Sequence, residues 1–305
     1  MRIGWLFLLL MSTLLQAQDL RPIKALHRPQ RADVGGLVTY RAFPTQALPM
    51  GSLDPFIFLN DHGPQTYGPN NNGLPFGPHP HKGFETVTFI LKGDLVHADN
   101  RGHVSKITSG GVQWMIAGKG IIHSELSSEE FKQTGGEVSI LQLWINLPAR
   151  LKEAEPKYTG LPKEQIPVIT QDNGKTSIHL VAGKLGQHEG AYQSLTGVMM
   201  SYVYMDASAT FSTSIPSDRE IFCYLVEGTL KVNGQVVEGK TLLQFEAQGG
   251  NVQLEASTDA VLLFGHAPRN NEPIAAQGPF VMNTEEELRR AYQEYQQGKF
   301  GPALK

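Results

Sequence analysis

Two histidines that flank a single proline are the residues of this sequence best suited to chemistry. His79 and His81 lie on either side of Pro80. Side chains two residues apart share one face of an extended strand, and the proline ring restricts the backbone between them. The spacing therefore predicts two imidazoles that can bind one metal ion.

A second pair with the same spacing lies further along the chain. His123 and Glu125 would also share one face of a strand. Together the two pairs offer three imidazoles and one carboxylate, which suit Fe(II), Mn(II), Co(II), Ni(II) or Cu(II) and leave positions open for water or a substrate. We therefore predict a metal centre, against the alternative of solvated strand histidines beside a solvated glutamate.

These pairs need strands to hold them, and the sequence predicts many. Runs of β-branched and aromatic residues between glycine-rich turns indicate a sandwich or barrel. We expect strands at 36–43, 86–91, 112–116, 138–145, 176–182, 197–205, 221–226, 229–232, 241–245 and 260–264. Asn233 and Gly234 predict a two-residue hairpin turn. One helix is expected, from a capping box of Thr284 and Glu287 to a stop at Gly298.

A weak internal repeat indicates that the barrel is duplicated. Glu85 and Glu220 each lie eight residues before a glycine, and the apolar runs between are similar in character. At the offsets of the two histidines, the second copy has Ser214 and Pro216. We therefore expect a metal site in the first barrel and none in the second.

Composition along the chain gives the expected boundaries. Residues 18–150 are predicted to form the first barrel and 176–305 the second, joined by a proline-rich linker at 151–175. A basic residue and an apolar run of 13 residues precede Ala17, which is the pattern of a signal peptide at 1–17. We therefore expect export to the periplasm or the medium, or a cytoplasmic protein if that segment is misassigned.

Composition also excludes several function classes. The chain of 305 residues has 26 basic and 29 acidic residues, a net charge of −3, so it has no large basic field for nucleic acid. Cys223 is the one cysteine, which excludes an intrachain disulfide and a multi-cysteine zinc site. It lies in an apolar run and is expected to be an inert core thiol. His97 and His103 flank a turn and are expected to be solvated, with a position near the mouth of the pocket as the alternative for either.

Three stretches of the sequence resemble the pirin family. They are residues 79–88, 113–125 and 278–284, and the resemblance extends over most of the chain, from about residue 22 to residue 301. It implies an all-β fold of two tandem cupin (jelly-roll) barrels with a short C-terminal helix. It also implies that the metal is bound only in the N-terminal barrel.

The resemblance further implies the ligands and the activity. Carried over residue by residue, the metal ligands are His79, His81, His123 and Glu125, and the usual metal is iron. Cupins at large often use a carboxylate at the position of Glu85, whereas the pirin pattern uses Glu125. Several pirins cleave flavonols such as quercetin with dioxygen.

We therefore expect a metal-dependent dioxygenase that opens the ring of a flavonol, with a small aromatic substrate and dioxygen as its partners. Fe(II) is favoured, and Cu, Ni, Mn, Co or Zn are alternatives. An exported chain acquires its metal outside the cytosol, where site affinity alone favours copper or zinc over iron. Glu125 is expected to complete the metal shell or to act as a general base, and Gln113 and Trp114 to lie near the pocket. We expect a monomer without nucleic-acid or membrane partners. The alternatives are a non-enzymatic redox regulator and another cupin reaction on a small polar substrate.

Overall fold

The structure is a computed structural model of the chain, and it describes residues 20–304. The predicted signal peptide at 1–17 lies outside the described residues, so export stays a prediction. Among residues 20–304, none of the helices has both the length and the apolar character needed to cross a membrane.

Strands dominate the described residues, as the sequence predicts. They are β1 (Ile23–His27), β2 (Gln30–Arg31), β3 (Thr39–Phe43), β4 (Phe56–Tyr67), β5 (Phe76–His81), β6 (Phe84–Lys92), β7 (Asp94–Asp99), β8 (Val104–Thr108), β9 (Val112–Ile116), β10 (Ile121–Leu126), β11 (Gly136–Asn146), β12 (Lys157–Leu161), β13 (Val168–Gln171), β14 (Thr176–Ala182), β15 (Lys184–Leu185), β16 (His188–Glu189), β17 (Met199–Met205), β18 (Thr210–Ser214), β19 (Arg219–Glu227), β20 (Thr229–Val232), β21 (Gln235–Glu238), β22 (Thr241–Phe245), β23 (Asn251–Ala256), β24 (Ala260–Pro268), β25 (Ala275–Gln277) and β26 (Phe280–Met282). The α-helices among these residues are α1 (Glu129–Thr134) and α2 (Glu285–Gln296). The expected all-β class with a short C-terminal helix is confirmed.

Several predicted elements coincide with observed ones. The predicted strands 112–116, 176–182, 229–232 and 241–245 are β9, β14, β20 and β22. Asn233 and Gly234 join β20 to β21 with φ of 47° and 83°, the left-handed conformations that a two-residue hairpin turn needs. The Thr284 hydroxyl accepts from the backbone N–H of Glu287, and the Glu287 carboxylate accepts from that of Thr284. The predicted capping box therefore begins α2, and the helix ends just before Gly298.

The chain folds into two units whose segments interleave. The first unit consists of residues 29–167, 190–196 and 269–304, and the second unit of residues 20–28, 168–189 and 197–268. This division differs from the contiguous barrels expected at 18–150 and 176–305. The reason is that β1 joins the ladder of the second unit, next to β22, whereas β25, β26 and α2 belong to the first unit.

Residues 151–175, which were expected to be a linker, contain strands. β12 pairs with β9 in the first unit, and β13 pairs with β14 in the second. Pro156, Pro162 and Pro167 lie just outside these strands, where the missing N–H removes no ladder hydrogen bond. The prolines therefore mark strand ends and do not indicate that strands are absent.

The first unit has two large sheets with an apolar cluster between them, besides the two-stranded sheet of β25 and β26. Its seven-stranded sheet has the order β12-β9-β6-β11-β4-β3-β2, and its four-stranded sheet has the order β5-β10-β7-β8. Both sheets contribute to the cluster, with Ile90 from β6, Leu95 from β7 and Val138 from β11. The order of the smaller sheet makes β5 and β10 neighbours, as a metal centre built from the two predicted pairs requires.

The second unit repeats this plan with a different interior. Its two large sheets have the orders β1-β22-β19-β24-β17-β14-β13 and β18-β23-β20-β21. β19, which carries Glu220, takes the place of β6, which carries Glu85, so the predicted duplication is confirmed. The interior is apolar, with Phe211, Leu254 and the buried Cys223, whose thiol pKa is raised to about 12 by burial. Cys223 is therefore a core thiol, as predicted.

Two buried lysines fasten the turn that follows β5 and so fix the end of the strand that carries two of the histidines. Lys152 Nζ donates to the carbonyl oxygens of Gly83 and Val281, each at 2.9 Å. It also donates to Asn146 Oδ1 at 2.7 Å. Lys82 is equally buried, and its Nζ forms an ion pair of 2.9 Å with the carboxylate of Glu153. The turn is thus held by charged side chains rather than by apolar packing alone.

The pH dependence of stability should reveal the buried Lys152. Burial lowers the pKa of Lys152 to about 8 from 10.5, so between these values the unfolded chain binds more protons than the folded protein. The penalty of burying the ammonium is complete below this window and is relieved as the pH rises through it. Relative to the Lys152→Met variant, the free energy of unfolding of the wild type should rise across this window by up to about 3 kcal/mol. Urea unfolding of both proteins at several pH values measures this, and a difference that stays constant or falls would contradict it.

Candidate metal centre

Three predicted ligands converge because β5 and β10 pair in a specific register. His123 lies opposite His79 in the antiparallel ladder. The ring centroid of His79 is 4.4 Å from that of His123 and 4.8 Å from that of His81. The ring centroids of His81 and His123 are 5.0 Å apart. One potential ligand atom from each ring lies within 4.8 Å of the others. Within residues 20–304 this is the one group of three or more side chains that could hold a metal ion.

The hydrogen bonding of these rings fits a metal ion. His79 Nδ1 lies 2.7 Å from the carbonyl oxygen of Gly77, which can only accept, so Nδ1 carries the proton and Nε2 keeps a free lone pair. In the described part of the chain, His123 Nε2 and both ring nitrogens of His81 are buried without a hydrogen-bond partner. Buried polar atoms in folded proteins nearly always have a partner. One cation could bind His79 Nε2, His123 Nε2 and one nitrogen of His81.

The electrostatics of the site favour neutral imidazoles and a basic carboxylate. Burial lowers the pKa of His81 and of His123 well below the ordinary value, and neighbouring histidines lower both further. The neutral ring is the form that binds metals. Burial has the opposite effect on Glu125 and raises the pKa of its carboxyl, although the nearby His79 lowers it in part.

Glu125 is buried and is held by polar side chains of the facing sheet. Its Oε1 accepts from Thr88 Oγ1 at 3.1 Å and from Gln113 Nε2, and its Oε2 accepts from Gln142 Nε2 at 2.6 Å. The register of β10 with β5 shifts between His123 and Glu125. The group of three potential ligands does not include Glu125. Its role as a fourth ligand therefore stays a prediction.

Glu85, the rival carboxylate, lies on the other face of its strand. On β6, the ring of Phe84 is 5.1 Å from that of His81, and Thr88 donates to Glu125. Even-numbered positions of β6 therefore face the histidines, and Glu85 faces away from them. Glu85 is fully buried there, and burial raises the pKa of its carboxyl to about 8. The structure separates Glu85 from the histidine cluster.

Of the two residues expected near the pocket, one reaches the site. Gln113 of β9 donates to Glu125. Trp114 faces the opposite side of the same strand and stacks on Tyr192, with ring centroids 4.5 Å apart. The expectation for Trp114 is wrong because consecutive residues of a strand point to opposite faces.

His97 lies near the centre, and its expected solvation is wrong. It lies on β7 and is fully buried, closer to the alternative of a position near the pocket. Its Nδ1 is 3.4 Å from His123 Nδ1, and its Nε2 is 3.0 Å from Asp99 Oδ2. Tyr158 stacks on it, and the half-exposed His103 matches its expected solvation. The spacing of His97 and Asp99, two residues apart, is the signal that would have found the pair.

Family models match both halves of the chain. The Pirin model matches residues 36–145, and the model described as the Pirin C-terminal cupin domain matches residues 200–301. The chain belongs to the pirin family. Rat pirin is 33% identical over 288 residues, which cover 92% of each chain.

Other relatives of this pirin have names that refer to an activity. One relative is a Pseudomonas aeruginosa protein provisionally named quercetin 2,3-dioxygenase. It is 33% identical over 248 residues, which cover 81% of this chain and 87% of that protein. The crystal structure of quercetin 2,3-dioxygenase from Acinetobacter baumannii has a TM-score of 0.88 and 31% identity, covering 93% of this chain and 100% of that one. The two-barrel cupin fold implied by the resemblance is thus confirmed.

In this pirin an aromatic wall adjoins the histidines, formed by Phe58, Phe84 and Trp144. Trp144 stacks between the other two, with ring centroids 4.2 Å from Phe58 and 4.3 Å from Phe84. The ring of His81 is 5.2 Å from that of Trp144. The guanidinium carbon of Arg41 lies 4.1 Å from the Phe58 ring centroid, which is a cation–π contact. A buried aromatic cluster therefore lies next to the candidate metal centre.

Loss of two imidazoles should abolish metal binding. We expect the double replacement of His79 and His81 by alanine to reduce the bound metal from about one ion per chain to about zero, because one imidazole cannot hold the ion against dialysis. Elemental analysis of dialysed protein measures this.

Two variants serve as controls. His188→Ala changes an exposed histidine of the second unit, and Glu85→Gln changes the carboxylate that faces away from the cluster. Both should keep the wild-type metal content. Unchanged metal content in the double variant would disprove the site.

Proposed function

We propose that this pirin is a metal-dependent dioxygenase that opens the heterocyclic ring of a flavonol such as quercetin. The observation that carries the proposal is the cluster of His79, His81 and His123 beside the buried Glu125. The likeness to the Acinetobacter baumannii quercetin 2,3-dioxygenase supports the substrate class. The proposed partners are therefore a small aromatic substrate and dioxygen.

The three histidines would hold the ion, and we propose Fe(II). Imidazole and carboxylate ligands suit a divalent first-row metal and leave coordination positions open. A bound metal of this kind supplies a Lewis-acidic, redox-active centre for an enolic substrate and dioxygen. Every other function of the site falls to side chains of the chain itself.

Glu125 would accept the proton of the enolic hydroxyl of the substrate. Burial raises the pKa of this carboxyl, so its carboxylate is a stronger base than that of an exposed glutamate. The amides of Gln113 and Gln142 and the hydroxyl of Thr88 hold both carboxylate oxygens. A base held in this way needs little reorganisation when it takes the proton.

The aromatic wall would lie beside the bound substrate and give it apolar contacts. Its three rings are buried and stacked on one another, so they offer a rigid apolar border to the site. Trp144 Nε1 donates to Gln142 Oε1 at 3.3 Å, and Gln142 in turn holds Glu125. The wall and the base are therefore positioned by one hydrogen-bonded set of side chains.

The activity test compares two glutamates of the same barrel. With iron-loaded protein and quercetin, the rate of dioxygen consumption measures kcat. We expect Glu125→Gln to lower kcat by about 100-fold or more, and Glu85→Gln to stay within about threefold of the wild type, because only Glu125 can serve as the general base. Equal rates in the two variants would contradict the assigned base.

The same assay separates the proposal from its alternatives. A loaded wild type that consumes no dioxygen with any flavonol would overturn the dioxygenase function. Binding of a partner protein that changes with the oxidation state of the metal would then indicate a redox regulator. Conversion of a small polar substrate without dioxygen would indicate another cupin reaction.

A further inference from the structure

A chain of side chains runs from Asp99 through His97 to His123, and we infer that it fixes His123 in the protonation form that can bind a metal. The inference rests on the proposed metal-dependent function and deepens it, because Asp99 and His97 are positioning residues outside the predicted ligand set. The chain lies in the four-stranded sheet, where His123 on β10 is opposite Asp99 on β7.

Asp99 is the fixed end of the chain. Its Oδ1 accepts from the backbone N–H groups of Arg101 at 2.9 Å and His103 at 3.1 Å. Its Oδ2 lies 3.0 Å from His97 Nε2. Burial raises the pKa of Asp99, but the hydrogen bonds that it accepts together hold the pKa below its ordinary value. The group is therefore a carboxylate, which only accepts hydrogen bonds.

The carboxylate sets the proton of His97. Because Asp99 only accepts, the neutral His97 ring carries its proton on Nε2. The Nδ1 atom of His97 then has a lone pair. This lone pair faces His123 Nδ1 at 3.4 Å.

His97 in turn sets the proton of His123. A hydrogen bond between the two Nδ1 atoms requires His123 to carry its proton on Nδ1. The lone pair of His123 is then on Nε2, which is buried and has no hydrogen-bond partner among residues 20–304. The series of hydrogen bonds from Asp99 through His97 therefore leaves the lone pair of His123 Nε2 free to bind a metal ion.

Packing holds the middle ring of the chain in place. Tyr158 stacks on His97 with ring centroids 3.8 Å apart and an angle of 10° between the planes. His79 differs from His123 in this respect, because a backbone carbonyl oxygen fixes the tautomer of His79. The tautomer of His123 depends on side chains, so a substitution can invert it.

Asp99→Asn is the substitution that should invert it. The two backbone N–H groups keep the amide oxygen at the position of Oδ1, so the amide nitrogen takes the position of Oδ2. That nitrogen donates, so His97 Nε2 must become an acceptor and its proton moves to Nδ1. His123 Nδ1 must then accept, and Nε2 receives the proton and loses its lone pair.

The test measures the affinity of purified full-length protein for Co(II) by competition with a chromophoric chelator, without substrate. We expect Asp99→Asn to weaken binding by about 10- to 100-fold, and His103→Ala, the matched control, to change it less than about threefold. His103 donates to the same carboxylate from the half-exposed side and does not belong to the chain. The thermal midpoint of each metal-free variant and its Co(II) absorption spectrum show whether fold and coordination change together.

A second variant separates orientation from packing. His97→Phe keeps a ring against Tyr158 but removes the acceptor, so it frees the tautomer of His123 without inverting it. The inferred chain predicts that Asp99→Asn weakens Co(II) binding more than His97→Phe does. A role in packing alone predicts the reverse order, because the second substitution changes the buried ring itself.

The outcomes distinguish this inference from the proposed function. Co(II) binding by Asp99→Asn at wild-type strength, or a larger loss in His97→Phe, would overturn the inference and leave the dioxygenase proposal intact. If Asp99→Asn loses Co(II) affinity as expected but the wild type fails to cleave flavonols, the inference is supported and the dioxygenase proposal is overturned. A wild type that binds no Co(II) would overturn both.

Discussion

The register in which β5 pairs with β10 is the constraint on which the rest of the metal centre depends. Because side chains alternate between the faces of a strand, a slip of one residue would turn His123 away from His79 and His81. Buried Lys82 and Lys152 fasten the turn at the end of β5, and β7 pairs with the other edge of β10. The ligand geometry is thus fixed by hydrogen bonds on both sides.

The two units show that one strand plan supports different interiors. In the first, buried polar residues form hydrogen-bonded pairs, Gln113 with Glu125 and His97 with Asp99. In the second, Phe211 and Leu254 are part of an apolar core. Burial of polar groups is unfavourable unless they are paired, so the polar interior is more consistent with a functional site than with stabilisation.

Short sequence patterns predicted the features of the fold that depend on neighbouring residues alone. Strand alternation was enough to pair His79 with His81, and a capping box was enough to begin α2 at Thr284. The spacing of His97 and Asp99 could indicate a pair, but the burial of His97 could not be predicted. It depends on Tyr158 of β12, a strand in a proline-rich segment that is expected to be a linker. The interleaving of the units was missed for the same reason, since β1 and α2 join their units through contacts distant in sequence.

The most direct test of the central claim is X-ray absorption at the metal edge of the natively loaded protein, which counts the imidazoles around the ion. Convergence of the three histidines predicts three imidazole ligands for one ion per chain. A spectrum with none or one, or an ion bound through sulfur, would contradict it.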